Sequence, residues 1–279
     1  MKAQSLKARI DNLSKEKNIN KNTLIRFYMF ERFIERLSIS KYKEKFIIKG
    51  GCYLANIFGL DTRATKDIDY CLNGISLELL TIDSIIKDII ETNINDNTIF
   101  TLEKIEPIRD EDEYDGYRVF LKATIENIQE RFHIDIVAGN AIAQNAITFK
   151  YQKLFDSNDI KILAYSLETV LAEKVETVLT RGSLSSRMKD YLDIHIIENL
   201  YYEKLSKRNI KKAFEYTFIN RNTENLLADY DSVLNRIKGD KTMSLYWSNY
   251  KNKNNVPDDL AIDSITEEIR QIMNDIKNQ

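Results

Sequence analysis

Two aspartates, Asp67 and Asp69, stand two residues apart in the segment Thr65-Lys66-Asp67-Ile68-Asp69-Tyr70. On a strand, alternate side chains share a face, so this spacing points both carboxylates one way and sends Ile68 into the core. Like charges held together repel unless a cation sits between them. A hard divalent ion that takes carboxylate and phosphate oxygens suits that place. Upstream, the apolar run Phe46-Ile47-Ile48 reads as a short buried strand that leads into Lys49, Gly50 and Gly51. There the backbone is free to bend tightly and to approach a ligand closely. A glycine turn beside a carboxylate pair suits a nucleoside triphosphate and its metal.

A third acid, Asp135, lies within Phe132-His133-Ile134-Asp135-Ile136-Val137. The alternation puts Phe132, Ile134 and Ile136 on one face, and His133, Asp135 and Val137 on the other. Asp135 converges with Asp67 and Asp69 if the two strands are neighbours; otherwise it is an edge-strand acid paired with a lysine. His133 reads as a strand histidine satisfied by a neighbour, and His195 is given no catalytic role. Further on, Leu167, Val170, Leu171, Lys174, Val175, Val178 and Leu179 form a stripe at helical spacing. A lysine on such a stripe either snorkels outward or meets a buried anion. In Arg187-Met188-Lys189-Asp190-Tyr191-Leu192-Asp193, Arg187 with Asp190 and Lys189 with Asp193 have spacings that permit helix-surface ion pairs. Those are worth only a few tenths of a kcal/mol.

These residues need a scaffold. Residues 1–45 read as helices (Ser5 to Lys17 and Lys21 to Leu37), with Leu24, Phe27, Phe30, Phe33, Ile34 and Leu37 as the stripe of the second. Residues 46–166 read as α/β, with strands at Phe46–Ile48, Asp67–Leu72, Tyr117–Ile125, Phe132–Val137, Thr148–Lys150 and Lys161–Ala164 and a helix from Leu77 to Glu91. Arg109 to Asp115 reads as an acidic hairpin loop. Residues 167–279 read as helical, with a loop around Lys251 to Asp259. The fold class is α+β: one small mixed sheet framed by helices, followed by a helical C-terminal region.

The 279 residues suffice for a full core, as one large domain or two modest ones. A hydrophobic share of 43% and a charged share of 30% match a globular chain. No apolar run approaches the roughly 20 residues needed to span a bilayer. The polar start, Met1 to Ser14, does not read as a signal peptide, so a cytoplasmic location is expected. Cys52 and Cys71 form no C-x-x-C pair, which argues against zinc and for buried free thiols. A net charge of −2 argues against a generic coat for nucleic acid, yet leaves room for a local basic groove. Lys204, Lys207, Arg208, Lys211 and Lys212 are the densest positive cluster, read as a solvated helix face.

Phe30-Glu31-Arg32-Phe33-Ile34-Glu35-Arg36-Leu37-Ser38, the Lys49-Gly50-Gly51 turn and Arg63-x-Thr65-x-Asp67-Ile68-Asp69 together resemble the AbiEii toxin family. That family belongs to the DNA polymerase β-like nucleotidyltransferases and includes toxins of abortive-infection and type IV toxin–antitoxin systems. The resemblance covers most of the chain and is clearest between Phe30 and His195. It implies a nucleotidyltransferase-type sheet, with a helical C-terminal region contributing to the active site. It implies Mg2+ (or Mn2+) held by Asp67, Asp69 and Asp135, and an NTP substrate contacted by Lys49, Gly50, Gly51, Arg63, Thr65, Lys174 and Arg187. It assigns catalytic roles to Asp67, Asp69, Lys174 and Asp190. One departure stands out: the superfamily's usual Gly-Ser is Gly50-Gly51 here, and Thr65 is the candidate substitute hydroxyl.

The function so implied is transfer of NMP from an NTP to an acceptor, with pyrophosphate release, by a bacterial toxin that blocks growth and resists phage. The preferred acceptor is the 3′ end of tRNA, since some relatives modify it. A separately encoded antitoxin is expected, acting without direct binding. Two other readings stay open: transfer to a small molecule or protein hydroxyl, and a non-catalytic nucleotide-binding regulator.

Overall fold

The structure, a computed structural model, describes residues 1–108, 116–138, 146–254 and 256–278. The acidic segment Arg109 to Asp115 lies outside the described residues. The chain divides into two compact units, Met1–Tyr165 and Ser166–Gln279.

The first unit begins with α1 (Ala3–Lys17) and α2 (Lys21–Ile39), then runs β1 (Phe46–Lys49), α3 (Gly50–Phe58), β2 (Asp67–Leu72) and α4 (Leu79–Glu91). It continues through β3 (Ile99–Pro107), β4 (Gly116–Ile125), β5 (Ile128–Ala138), β6 (Ile147–Tyr151) and β7 (Ile160–Ala164). The strands form one seven-stranded sheet in the order β3-β4-β5-β2-β1-β7-β6. It is mixed: β2 pairs with β5, and β1 with β7, in parallel, while the other pairs are antiparallel.

One sheet face is the core. Leu24, Phe27, Phe30, Phe33, Ile34 and Leu37 of α2 are all buried, as their spacing requires. Phe30 meets Phe132 edge-on at 5.0 Å between ring centroids, and Tyr70 packs similarly against Phe46 at 5.4 Å. Ile68, Ile134 and Ile136 complete this layer. The opposite positions of β2 and β5, which carry Asp67, Asp69, His133 and Asp135, are half-buried. The face assignments read from alternation therefore hold on both strands.

Two elements were not foreseen. β3 is an edge strand whose residues are mostly exposed, so burial imposes no clean alternation on it. The Lys49-Gly50-Gly51 turn is a strand-to-helix junction: α3 starts at Gly50 itself, where a glycine pair argues locally against helix. Asp135 is also not an edge-strand acid, because β5 lies between β4 and β2.

The Glu31-Arg32-Phe33-Ile34-Glu35-Arg36 run of α2 buries its charges in pairs. Arg36 grips Asp96 with two hydrogen bonds of 2.9 and 2.7 Å and donates to the Thr98 carbonyl at 2.8 Å. Glu31 pairs with Arg32 and accepts the Leu154 N–H at 2.7 Å. These contacts tie α2 to the segments before β3 and after β6, which is a scaffolding role.

The second unit is helical: α5 (Leu167–Arg181), α6 (Met188–Tyr201), α7 (Lys207–Asn220), α8 (Leu226–Ile237), α9 (Lys241–Asn254) and α10 (Ile262–Lys277). The segment from Gly182 to Ser186 contains a short 3-10 helix, Gly182–Leu184. Along α10, Ile262, Ile265, Ile269, Ile272, Met273 and Ile276 are buried at helical spacing, against α6, α7, α8 and α9. Among the described residues, no helix is long and apolar enough to cross a membrane.

Candidate active site

The sheet register builds a charged row that no single segment contains. Lys49 pairs with Asp69, Asp69 with Asp135, Asp135 with Arg118, and Arg118 with Glu106, across five adjacent strands. Directly paired residues share a face, with Cβ atoms about 4.5–5.5 Å apart. Two carboxylates therefore sit side by side, bracketed by Lys49 on one flank and Arg118 on the other. One step along the strands, Asp67 pairs with His133.

Asp69 is the electrostatic centre. Burial, then the charges of Asp67 and Asp135, push its carboxyl up to about 6, although Lys49 and the Gly51 N–H pull the other way. The Gly51 N–H donates to Asp69 Oδ2 at 3.3 Å, and the start of α3 presents its positive end to the same carboxylate. Gly50 has φ +63, and a Cβ there would stand 1.9 Å from Asp69 Oδ2. No side chain fits. At Gly51, a Cβ would meet Thr65 Oγ1 at 2.7 Å and an Arg63 guanidinium nitrogen at 3.3 Å. Thr65 thus brings a hydroxyl to the space a serine at position 51 would enter, and that hydroxyl hydrogen-bonds Asp67 Oδ1. Arg63 is buried and donates to the Ala64 carbonyl at 2.6 Å, which shores up the approach to β2.

His133 places Nε2 3.5 Å from Asp67 Oδ2 and its ring 5.9 Å from that of Phe120. Asp135 has a partner, but it is Arg118 rather than a lysine: Nε and an amino nitrogen each donate to one carboxylate oxygen at 2.8 Å. In the sequence Arg118 is only one polar residue within the strand read at Tyr117–Ile125. What makes it a site residue is the β4–β5 register. Among the described residues, no three of His, Cys, Asp and Glu gather closely enough to hold a metal. The residues nonetheless suit a cation. A half-buried set of three carboxylates whose central member is pushed up to about 6 is destabilised by its own repulsion, which a cation between Asp67 and Asp69 would offset.

In the second unit, of the two outcomes open to a lysine on the α5 stripe, Lys174 meets anions, and these are protein carboxylates, the half-buried Asp190 and the buried Asp193. Its Nζ lies 2.7 Å from Asp190 Oδ1 and 2.7 Å from Asp193 Oδ2. Asp193 is 0% exposed, and its pair with Lys174 is a buried one. Arg187 precedes α6 as its N-cap and so is not on the helix with Asp190.

This geometry can be set beside known proteins. A family model described as the nucleotidyl transferase AbiEii toxin of type IV toxin–antitoxin systems matches residues 32–275. The chain belongs to the AbiEii family. No curated protein matches its sequence. The solved structure of JHP933 from Helicobacter pylori is 12% identical with a TM-score of 0.51, covering 93% of this chain and 94% of its own. A second H. pylori structure, of a suggested nucleotidyltransferase, gives the same identity and score over 93% and 96% of the two chains. At that identity the likeness shows the fold alone. An antigenic nucleotidyltransferase-like protein from Paracoccidioides brasiliensis is 14% identical over 74% and 90%, at a TM-score of 0.40.

Other polar groups of this AbiEii-family chain have scaffold partners. His195 Nδ1 lies 2.9 Å from Glu268 Oε1, joining α6 to α10. Lys207, Arg208, Lys211 and Lys212 belong to α7, and Lys204 Nζ bonds the Leu200 carbonyl at 3.2 Å. Cys52 and Cys71 are free and buried, the state expected of them.

Proposed function

We propose that the chain transfers a nucleoside monophosphate from an NTP to a hydroxyl acceptor, with the 3′ end of tRNA as the favoured acceptor. It acts as the toxin of a type IV toxin–antitoxin pair, blocks translation and so aborts phage infection. The observation that carries this reading is the row Lys49-Asp69-Asp135-Arg118 with Asp67 beside it, set against a glycine junction whose Gly51 N–H donates to Asp69. Asp67, Asp69 and Asp135 would hold Mg2+ (or Mn2+), which supplies charge neutralisation for the triphosphate and activates the acceptor hydroxyl. Lys49, Gly51 N–H and the Thr65 hydroxyl orient the phosphates, and Gly50 keeps the path to Asp69 clear. The acceptor oxygen bonds the α-phosphorus as the bridge from α- to β-phosphate breaks. Pyrophosphate leaves with those electrons, and the hydroxyl proton passes to a carboxylate oxygen or water.

Arg63 supports this junction. Lys174, Asp190 and Arg187 take their nucleotide roles from the family resemblance; loss of NTP affinity in Lys174→Ala combined with Asp193→Asn, which relieves the buried charge, tests the lysine. A cognate antitoxin encoded apart from the toxin, acting without contact, and a cytoplasmic setting complete the reading.

The test mixes the protein with Mg2+, each α-labelled NTP in turn, and total bacterial RNA, with Asp69→Asn as control. Label on a tRNA-sized band, lost in the variant, is the expected result. Toxicity that depends on Asp69 without RNA labelling would move the acceptor to a small molecule or protein. Neither label nor toxicity would leave a nucleotide-binding regulator.

A further inference from the structure

We propose that Arg118 is an exchangeable phosphate-binding residue: it closes Asp135 in the nucleotide-free protein and passes to the triphosphate when Asp135 turns to a metal ion. The inference rests on the nucleotidyltransferase reading above and concerns a residue that reading leaves unused.

The geometry favours an exchange. Both oxygens of Asp135 accept from Arg118 at 2.8 Å, a bidentate fork. A divalent ion at Asp135 would share one of those oxygens with the guanidinium, and two cations held on one carboxylate repel, so the ion weakens the Arg118 fork. Asp135 is the more buried of the two. Its side chain is 16% exposed against 37% for Arg118, so the carboxylate cannot stand unpaired at low cost, whereas the guanidinium retains access to water. A replacement cation therefore satisfies Asp135, and the released Arg118 costs little.

Its destination follows from the row. Arg118 and Lys49 flank the two central carboxylates from opposite sides on one face of the sheet. A guanidinium fork matches phosphate as well as it matches carboxylate, and stays charged at every working pH. A polyphosphate drawn to Asp67 and Asp69 by a cation would lie between these two basic groups. The alternating order of charge, Lys49, Asp69, Asp135, Arg118, gives each carboxylate one cationic neighbour while the nucleotide is absent. That restrains the repulsion between the acids without a permanently bound ion.

The exchange predicts effects of opposite sign from one substitution, which a purely structural pair would not produce. Mn2+ binding without nucleotide, read by electron paramagnetic resonance, is expected to tighten about two- to fivefold in Arg118→Gln, because a partly exposed pair no longer competes. Binding of each NTP in the presence of Mn2+, read by calorimetry, is expected to weaken about tenfold or more, because a charge-assisted phosphate contact is lost. Arg118→Lys, which keeps the charge without the fork, should fall between, and it serves if the glutamine variant melts early. Asp135→Asn should weaken Mn2+ binding.

If Mn2+ affinity in Arg118→Gln falls or stays put, or if NTP affinity is unchanged, the exchange is wrong. If the unsubstituted protein binds Mn2+ and an NTP through Asp69 while Arg118→Gln shifts neither, the transferase reading stands and this inference alone fails. If it binds neither, both fall together.

Discussion

Gly50→Ala tests the site at its tightest point. Two costs follow from the structure. The first is backbone strain: Gly50 has φ +63, where an L side chain costs about 1–2 kcal/mol. The second is the clash. The new Cβ would stand 1.9 Å from Asp69 Oδ2 and 2.5 Å from its Cγ, so the carboxylate oxygen must retreat by roughly 1.5 Å or more to reach ordinary contact. A displacement of about 1 Å in a reacting group costs on the order of 100-fold in rate. Gly239→Ala separates the two costs, since Gly239 has φ +75 and nothing within 4 Å of its would-be Cβ. Urea unfolding should show both variants losing about 1–2 kcal/mol, with Gly50→Ala the worse. Label transfer, by contrast, should collapse only in Gly50→Ala. Should Gly50→Ala retain full transfer, the placement of Asp69 against the start of α3 would not matter to the chemistry, and the argument from the glycine junction would be refuted.

Asp67→Asn and Asp69→Asn should each abolish transfer and toxicity while leaving the melting temperature unchanged or slightly raised, because burial and the charges of its neighbours already push the Asp69 carboxyl up to about 6; a marked loss of stability would show that these carboxylates hold the fold. Lys174→Ala leaves Asp193 buried with its lysine removed and should destabilise the protein by about 3–5 kcal/mol in urea, with Asp193→Asn added to it restoring a part. A neutral Lys174→Ala would mean that other partners satisfy Asp193. The His195 imidazole is held above its ordinary range by its hydrogen bond to Glu268, with burial opposing. Its folded pKa is raised, so the stabilisation is fully present below about pH 6.5 and is lost as pH rises through the folded value. Melting of the unsubstituted protein minus Glu268→Gln should therefore shrink from pH 5.5 to pH 8, and a difference that grows would reverse the assignment.

The parts of this protein legible in its sequence are those written in local spacing. The alternation through Asp67-Ile68-Asp69 and Phe132 to Val137 fixes which side chains share a face, because a strand repeats every two residues wherever it is placed. The α2 stripe and Lys174 on the α5 stripe follow in the same way from the helical repeat. Where burial is weak the pattern fades. The exposed edge strand β3 left no clear period, and the glycine pair concealed the start of α3. What only the tertiary structure decided is which faces meet. Parallel pairing of β2 with β5 brings Asp135 beside Asp69, and the β4–β5 register sets Arg118 against Asp135. The packing of α5 with α6 likewise turns Lys174 toward Asp190 and Asp193. Register and helix contact depend on distant segments burying their apolar faces together. A row such as Lys49-Asp69-Asp135-Arg118 therefore exists only once the sheet has closed.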